Sequence, residues 1–322
     1  MLGGLARRTA FAEKLRGEGS PVLAVDSGDL FFDAEARTDP QTAINKAKVI
    51  GKTYRRMGVA AVSVGDTDLL HGLPFLQEEA AEGLPLISAN LVEPKKRTPI
   101  FAPLVIQEAN GVRVALIGLT RPNLDSTVKK AVGNAAVVKA PVEAARETVA
   151  ALRGKVDLIV LLSDIGLTEA RDVAKAVPGI HFILGGHEAR HFNFLEQEGG
   201  TWIGQSYYKG MSVGKLRLVI EEKGTPFQDE GATDRIQQHI SNLGVRLRAL
   251  NAANERQPTA SLQRQIKEAN DLMARLERDL SRAEERAIKG NRFRWNIQSL
   301  NAALPEDEQV RSWIRGAGVD RD

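Results

Sequence analysis

The stretch "DLIVLLSDIG" (157–166) decides the fold class, because it joins an apolar run to a polar turn. Its consecutive apolar residues, Leu158 to Leu162, predict a strand that is buried on both faces. Strands of this kind belong to parallel sheets that are covered by helices on both sides. Asp164 and Gly166 follow at the point where the strand would end. The stretch therefore predicts an α/β fold whose strands deliver polar side chains to one edge of a sheet.

Similar runs on both sides of this stretch predict more buried strands, at "PVLAV" (21–25), "VAAVSV" (59–64), "VRVALIGL" (112–119) and "IHFILG" (180–185). Two further strands, "TWIGQS" (201–206) and "VGKLRLVI" (213–220), follow a Gly-Gly turn in the manner of a hairpin. Helical patterns lie between several of the strands, at 40–57, 71–82, 141–153 and 167–176, after a short basic helix at 3–17. We expect these elements to form an α/β domain over residues 1–222.

Residues 223–322 have a different character and predict helices that pack together. Apolar residues recur at three-four spacing in 234–254, and two heptad positions are apolar from Leu262 onward. Pro258 interrupts the pattern between the two runs. The pattern favours an antiparallel coiled-coil hairpin, with a dimer seam as the alternative, so a protein partner or self-association is predicted through residues 234–288. A strand, "RFRWNIQSL" (292–300), and a polar tail are expected to follow.

The composition excludes several classes of protein. The chain has no cysteine, which rules out disulfides and cysteine-ligated metals. Its formal net charge of +3 is small for 322 residues, so we expect no nucleic-acid partner. No apolar run approaches the roughly 18 residues that a membrane span requires, and the first residues contain no apolar signal core.

Polar residues follow four of the predicted strands. Asp29 comes after the predicted strand "PVLAV", and Asp66 comes after "VAAVSV". Asp164 comes after "DLIVLLS", and His187 comes after "IHFILGG". These side chains are expected to converge, because the carboxyl ends of parallel strands meet at one edge. Carboxylates at such short distances repel one another unless a divalent cation neutralises their charge. These four residues therefore predict a metal site. Oxygen-rich ligation favours Mn²⁺, Mg²⁺ or Ca²⁺ over Zn²⁺. The alternative is that each aspartate is an ordinary turn or helix-capping residue.

The stretch "FILGGHEARHF" (182–192) also spells His-Glu-x-x-His, which on a helix is a zinc-peptidase motif. The motif needs His187 and His191 on one face of that helix. Here an apolar strand and a pair of glycines precede His187, and glycine disfavours a helix interior. We therefore interpret the match as accidental.

Taken together and in this order, the strand-end signatures resemble the calcineurin-like metallophosphoesterase domain of the 5'-nucleotidase/UDP-sugar hydrolase family. The resemblance spans roughly residues 3–220 and rests on "GGLARR" (3–8), "DSGDLF" (26–31), "GDTDLLHGLPFL" (65–76), "LPLISANL" (84–91), "NGVRVALIGLT" (110–120), "LLSDIGL" (161–167) and "VPGIHFILGGHEA" (177–189). It implies a two-sheet α/β sandwich with a dinuclear site for divalent metal, either Mn²⁺, Mg²⁺, Ca²⁺ or Zn²⁺. It also implies hydrolysis of a small phosphate ester by metal-activated water.

The resemblance assigns ligands residue by residue. Asp29 matches the aspartate that bridges the two metals, and His187 matches the first histidine of Gly-His-x-His. Asp66 stands where the family has a ligand asparagine, and Asp164 where it has a ligand histidine. Both replacements keep a side chain that can bind a metal.

Two other positions depart from the family pattern. Ala189 replaces the second histidine of Gly-His-x-His, so one ligand of the other metal is absent. Thr67 replaces the histidine that serves the leaving group, and a threonine carries no proton near neutral pH. The catalytic residue is therefore unknown. His71 is interpreted as a surface residue and His191 as a loop residue.

The family pattern opens with a strand that ends in Asp-x-His, for which this chain has no counterpart. We therefore expect an upstream segment that carries that strand and an export signal. The protein would then lie in the periplasm or cell envelope, and otherwise in the cytoplasm. The family's nucleotide-binding second domain also has no counterpart, so nucleotide specificity is not transferred. Two functions are predicted: an impaired metal-dependent phosphoesterase, or an inactive scaffold that docks a partner through its coiled coil.

Overall fold

The computed structural model describes residues 4–33, 39–188, 192–206, 210–285 and 289–318. The chain forms two compact units, of which one comprises Met1–Lys215 and Asn296–Asp322 and the other Leu216–Trp295. The predicted domain limits, 1–222 and 223–322, stay a prediction.

The helices of the described residues include those predicted at 40–57 and 167–176, with the same bounds. They are α1 (Leu5–Gly17), α2 (Pro40–Met57), α3 (Leu73–Ala81), α4 (Ser126–Val132), α5 (Pro141–Leu152), α6 (Leu167–Ala176), α7 (Ala232–Arg256), α8 (Ala260–Glu285) and α9 (Glu308–Gly316). The start of α2 shows why the prediction succeeds. Asp39 accepts a hydrogen bond from the backbone N–H of Thr42, Pro40 occupies the first turn, and Gly58 ends the helix with φ 60°.

The strands include the predicted one at 112–119, again with the same bounds. They are β1 (Val25–Asp26), β2 (Ala61–Ser63), β3 (Leu86–Ile87), β4 (Leu91–Val92), β5 (Leu104–Ala109), β6 (Val112–Leu119), β7 (Val137–Val138), β8 (Leu158–Ser163), β9 (Phe182–Gly185), β10 (Glu196–Glu198), β11 (Thr201–Gln205), β12 (Ser212–Val219), β13 (Gln228–Asp229) and β14 (Arg292–Ser299). The first predicted strand, 21–25, is shorter and later than expected, because only its last residue belongs to β1.

The larger sheet of the first unit has six strands in the order β10-β11-β9-β8-β6-β5. Its four central strands, β11, β9, β8 and β6, are parallel, and the two edge strands are antiparallel to their neighbours. All six residues of β8 are buried. Helices α5 and α6 contribute alanine, leucine and valine side chains to the core around this sheet. The predicted α/β class is confirmed.

A second sheet in the same unit consists of β1, β2 and β3, which are parallel. Its apolar core includes Tyr54 of α2 and Phe75 of α3. The two sheets approach closely at Gly118 of β6, where a Cβ atom would lie 2.4 Å from the carbonyl oxygen of Ile87. Glycine is therefore required for this contact between the sheets.

In the second unit, α7 and α8 form an antiparallel hairpin. Gln237 near the start of α7 hydrogen-bonds Glu284 near the end of α8, at 3.3 Å. Leu243, Leu247 and Ala269 form its buried core. The predicted helices are confirmed, whereas coiled-coil packing and self-association through residues 234–288 stay predictions.

The segment after β14 was expected to be a polar tail, and this was wrong. Residues 308–316 form α9, whose N-terminus is capped by the side chain of Asp307. Asp307 also accepts a hydrogen bond of 2.7 Å from Arg56, and Val310 is fully buried. The buried side chain of Val310 and the cap at Asp307 hold this helix in place within the first unit, although the segment is mostly polar. In the described part of the chain, no helix is long and apolar enough to cross a membrane.

Candidate metal site at the carboxyl ends of the strands

The four predicted ligands lie together in the first unit, at the carboxyl ends of parallel strands from both sheets. Asp29 and Asp66 follow β1 and β2 of the small sheet, and Asp164 and His187 follow β8 and β9 of the large one. Each residue offers one ligand atom, and these atoms all lie within 4.8 Å of one another. The sequence prediction that these side chains converge is therefore met by the geometry.

The carboxylate of Asp68 holds the backbone that presents Asp29. Asp29 has φ 56°, a left-handed conformation that costs energy in a non-glycine residue. The oxygens of Asp68 accept the backbone N–H groups of Asp29, Leu30, Phe31 and Gly65 at 2.8–3.1 Å. These hydrogen bonds compensate for the unfavourable backbone conformation.

Thr67 orients the side chain of Asp29. Its backbone N–H donates to Asp29 Oδ1 at 3.0 Å and its hydroxyl donates to the same oxygen at 2.9 Å. Asp29 Oδ2 remains directed at His187, whose Nδ1 lies 3.3 Å away. Thr67 therefore acts on a ligand, and the structure does not assign it a proton-transfer role.

Asp66 and Asp164 are the most buried members of the cluster. The backbone N–H of Asp66 donates to Asp164 Oδ2 at 2.8 Å. Asp66 Oδ1 is buried and accepts no hydrogen bond from the described residues. Asp164 Oδ1 is also buried and faces Nδ1 of His187, 3.3 Å away. Buried carboxylate oxygens are normally satisfied, so Asp66 Oδ1 points to an electropositive partner at the cluster.

His187 completes the cluster on the other side. Its Nδ1 lies 3.3 Å from Asp29 Oδ2 and 3.3 Å from Asp164 Oδ1. Its Nε2 contacts the Nη1 atom of Arg121, which lies 3.9 Å from Asp66 Oδ2. The imidazole thus faces two carboxylates with one nitrogen and a guanidinium with the other.

The electrostatics of the cluster separate its acidic groups. Burial and then the charge of Asp29 raise the pKa of Asp66 to about 6, and burial raises the pKa of Asp164 well above its usual value. The pKa of Asp29 is lowered, because hydrogen bonds from His187 and Thr67 together outweigh its burial. Hydrogen bonds to Asp164 and Asp29 raise the pKa of His187 to about 10. Carboxyls with raised pKa values and a neighbouring cation are typical of a site that gains from bound positive charge.

The residues fit a divalent cation. Three carboxylates and one imidazole converge, and the buried Asp66 Oδ1 accepts no hydrogen bond from the described residues. The donor set is rich in oxygen, which Mn²⁺, Mg²⁺ and Ca²⁺ prefer, although the imidazole also suits Zn²⁺.

Other histidines of the sequence lie away from this geometry or outside the described residues. The ring of His71 packs against that of Phe32 at a tilt of 45°, with ring centroids 4.4 Å apart. His187 and Glu188 lie in a bend after β9 and not in a helix, so the zinc-peptidase reading has no structural support. Ala189 and His191 lie outside the described residues.

Two residues of the site were missed by the sequence analysis. Asp68 belongs to the same "GDTD" segment as Asp66, and Arg121 comes two residues after the end of β6. The rule that polar residues after parallel strands meet at one edge would have found Arg121. Nothing in the sequence distinguishes the backbone-binding role of Asp68 from a ligand role.

Comparisons with known proteins show similarity to nucleotide phosphoesterases. The chain is 26% identical over 280 residues to the trifunctional nucleotide phosphoesterase protein YfkN of Bacillus subtilis, covering 74% of this chain and 18% of YfkN. It is 25% identical over 254 residues to a 5'-nucleotidase of Vibrio cholerae, covering 66% of this chain and 44% of that protein. The chain thus spans less than half the length of these relatives. No protein-family model matches it.

The fold has neighbours among solved structures. A 5'-nucleotidase precursor from Thermus thermophilus superposes with a TM-score of 0.67 at 19% identity, covering 99% of this chain and 53% of that chain. The relatives and structural neighbours of this chain are therefore calcineurin-like metallophosphoesterases of the 5'-nucleotidase family, matched at low identity over most of its length.

Proposed function

We propose that this protein is a metal-dependent phosphoesterase of the 5'-nucleotidase type. In this proposal Asp29, Asp66, Asp164 and His187 hold one divalent ion. The observation that carries the proposal is the convergence of three carboxylates and one imidazole within 4.8 Å, in which the buried Asp66 Oδ1 accepts no hydrogen bond from the described residues. A divalent ion in such a site supplies positive charge that polarises a phosphoryl oxygen and lowers the pKa of water.

The chain's own residues keep the ligands in place. Thr67 binds Asp29 Oδ1, which leaves Oδ2 directed at the cluster. The backbone of Asp66 binds Asp164 Oδ2 and leaves Oδ1 available. Asp29 and Asp164 therefore each direct one oxygen at the cluster while a hydrogen bond holds the other oxygen. Preorganised ligands of this kind need little rearrangement when an ion binds.

A second network fixes the segments that carry the ligands. Asn90 accepts the backbone N–H of Thr120 at 2.8 Å and donates to its carbonyl oxygen at 2.7 Å. The hydroxyl of Thr120 donates to the carbonyl oxygen of Val64 at 2.7 Å. All three residues are buried. The network connects the end of β6 to the backbone just before Asp66.

The substrate follows from the relatives and not from the geometry. The names of the relatives describe nucleotide phosphoesterases and 5'-nucleotidases, so we propose a small phosphate ester, with nucleotides as the first substrates to try. Thr67 donates its hydroxyl to Asp29, so the proposal assigns it no role with the leaving group. The periplasm or cell envelope remains the proposed compartment, with the cytoplasm as the alternative.

Thermal unfolding tests the metal site directly. An ion that binds the folded chain raises its stability by mass action, so we expect Mn²⁺, Mg²⁺, Ca²⁺ or Zn²⁺ to raise the melting temperature above the value in chelator. Asp164→Ala and His187→Ala should abolish that rise. Asp157→Ala, at the amino end of the same strand as Asp164, should keep it.

Turnover separates the two predicted functions. The metal-loaded chain should hydrolyse a nucleoside monophosphate or p-nitrophenyl phosphate, and Asp164→Ala should not. Metal binding without turnover on any phosphate ester would contradict the enzyme and favour the scaffold that docks a partner through residues 234–288.

A further inference from the structure

Arg121 is a charged residue of the site that the proposed ligand set does not use. It follows Thr120, whose backbone N–H and hydroxyl are held by Asn90 and by the carbonyl oxygen of Val64. Both partners are buried: Val64 directly follows β2 of the small sheet, and Asn90 lies between β3 and β4. The backbone that presents Arg121 is therefore as well fixed as the backbone that presents the ligands.

The guanidinium of Arg121 lies at the more exposed side of the cluster. Its side chain is 39% exposed, compared with 8% for Asp66 and 1% for Asp164. Its Nη1 contacts His187 Nε2 and lies 3.9 Å from Asp66 Oδ2, which is the outer limit for an ion pair. Arg121 is therefore near the cluster without being closely paired to any of its carboxylates.

The tautomer of His187 leaves a place for an anion. Nδ1 faces Asp29 and Asp164, so it is the nitrogen that would face a bound ion. The hydrogen of the neutral ring then lies on Nε2. In the structure Nε2 hydrogen-bonds Nη1 of Arg121, and a guanidinium can only donate. With the ring hydrogen on Nε2 this hydrogen bond is lost, and the N–H groups of His187 and Arg121 become two neighbouring donors. One oxygen of an anion can accept from both.

The charge of the site also calls for Arg121. Three carboxylates around one divalent cation leave one net negative charge, which repels an anionic substrate. The guanidinium removes that charge on the side where a ligand has access. Guanidinium groups bind phosphate oxygens through two parallel hydrogen bonds, which an ammonium group cannot reproduce.

We propose that Arg121, together with the Nε2–H group of His187, binds a non-bridging oxygen of the substrate's phosphate group. This inference rests on the proposed function, because it requires an ion held by the four ligands. Arg121 would thus set the affinity for phosphate, while the other residues set the affinity for metal.

Phosphate binding to the Mn²⁺-loaded full chain tests the proposal. Inorganic phosphate is titrated calorimetrically at constant ionic strength, after excess Mn²⁺ has been removed. Arg121→Gln should weaken phosphate binding about tenfold or more, as expected for a charged hydrogen bond. Arg121→Lys should bind phosphate with an affinity between those of the unmodified chain and Arg121→Gln, because lysine keeps the charge and loses the second hydrogen bond. Mn²⁺ binding, measured separately, should stay within about threefold of the unmodified chain.

A matched control lies on the same strand. Arg113 is at the opposite end of β6, is 48% exposed and pairs with Asp157 at 3.6 Å. Arg113→Gln removes the same charge and should leave phosphate binding unchanged. Equal weakening in both variants would mean that only the overall charge matters, which would overturn the proposal.

The remaining outcomes are distinguishable. If the unmodified chain binds Mn²⁺ but no phosphate, or if Arg121→Gln binds phosphate as before, the metal site stands and the role of Arg121 is wrong. If Arg121→Gln loses Mn²⁺ as well, Arg121 supports the ion site and the proposal is overturned. If the unmodified chain takes up no Mn²⁺, both the proposed function and this inference fail.

Discussion

Single atoms decide the chemistry of this site. Asp29, Asp66 and Asp164 look equivalent in the sequence, since each follows a strand. In the structure, both oxygens of Asp68 bind backbone and one oxygen of Asp29 binds Thr67. The Oδ1 atom of Asp164 faces His187, and the buried Oδ1 atom of Asp66 accepts no hydrogen bond from the described residues. Four aspartates of one small region thus have different tasks, which follow from the donors around each oxygen.

Asp66 provides a test at this scale, because its charge is unfavourable without an ion. Asp66→Asn removes a buried carboxylate whose pKa is raised to about 6, so the metal-free chain should gain on the order of 1 kcal/mol at pH 8. The amide oxygen can still bind an ion, so metal affinity should fall about tenfold and not vanish. Asp66→Ala should lose metal binding altogether. Urea unfolding in chelator and a Mn²⁺ titration measure the two effects, and a less stable metal-free Asn variant would contradict the argument.

Asp68 provides the opposite test. It is fully buried and accepts four backbone N–H groups, although burial raises its pKa to about 7. Asp68→Ala leaves those groups without an acceptor and should reduce the free energy of unfolding by on the order of 3 kcal/mol. The metal-induced rise in melting temperature should also shrink, because Asp29 is no longer held in its left-handed conformation. Unchanged stability in chelator would show that water replaces the carboxylate.

At the scale of elements, two sheets position the site by their close contact. The ligands come in pairs from the two sheets, so the spacing between β2 and β6 determines whether they meet. Gly118 and the Ser88, Asn90 and Thr120 network lie at that contact. The geometry of the metal site therefore depends on residues that touch no ligand.

Gly118→Ala tests this dependence. The new Cβ atom would lie 2.4 Å from the carbonyl oxygen of Ile87, which is backbone and cannot move aside easily. We expect a loss on the order of 2 kcal/mol in the free energy of unfolding, together with weaker metal binding. Gly17→Ala is the control, since a Cβ atom there meets nothing within 4 Å at the end of α1. A Gly118→Ala chain as stable as the Gly17→Ala chain would contradict the close contact.

At the scale of the whole molecule, the buried acids make stability depend on pH. The pKa values of Asp66, Asp68 and Asp164 are raised in the folded chain, so the folded state binds protons more tightly than the unfolded state. The stability that these groups contribute is largest at low pH and is lost as pH rises through about 6 to 7. His187 adds stability below its unfolded pKa and loses it as pH rises through about 10.

The metal-free chain should therefore melt at progressively lower temperature between pH 5 and pH 9. The rise in melting temperature that the metal causes should grow with pH over the same range, because an ion competes with protons for the same carboxylates. Calorimetric scans in chelator and in Mn²⁺ across this range measure both trends. The slope in chelator should be smaller for Asp66→Asn, and a melting temperature that rises with pH in chelator would contradict the assignment.

The sequence by itself determined the class of fold and the candidate ligands. Buried strands such as β6 and β8 and helices such as α2 and α6 are local patterns, and their predicted bounds agree with the structure within a few residues. Because parallel strands end at one edge of a sheet, the sequence predicted that four side chains lie close together: Asp29, Asp66, Asp164 and His187. Helix α9 escaped prediction because Val310 and the cap at Asp307 are weak local signals that gain meaning only where they dock.

Only the tertiary structure decided which atoms of the site are free to bind. The approach of the Asp66 backbone N–H to Asp164, and of His187 to Asp29, depends on the distance between the two sheets. Local patterns carry no information about that distance, because it results from how the two cores pack against each other. Sequence therefore names the residues at the edge of a sheet, whereas the packing between sheets decides what each oxygen and nitrogen meets there.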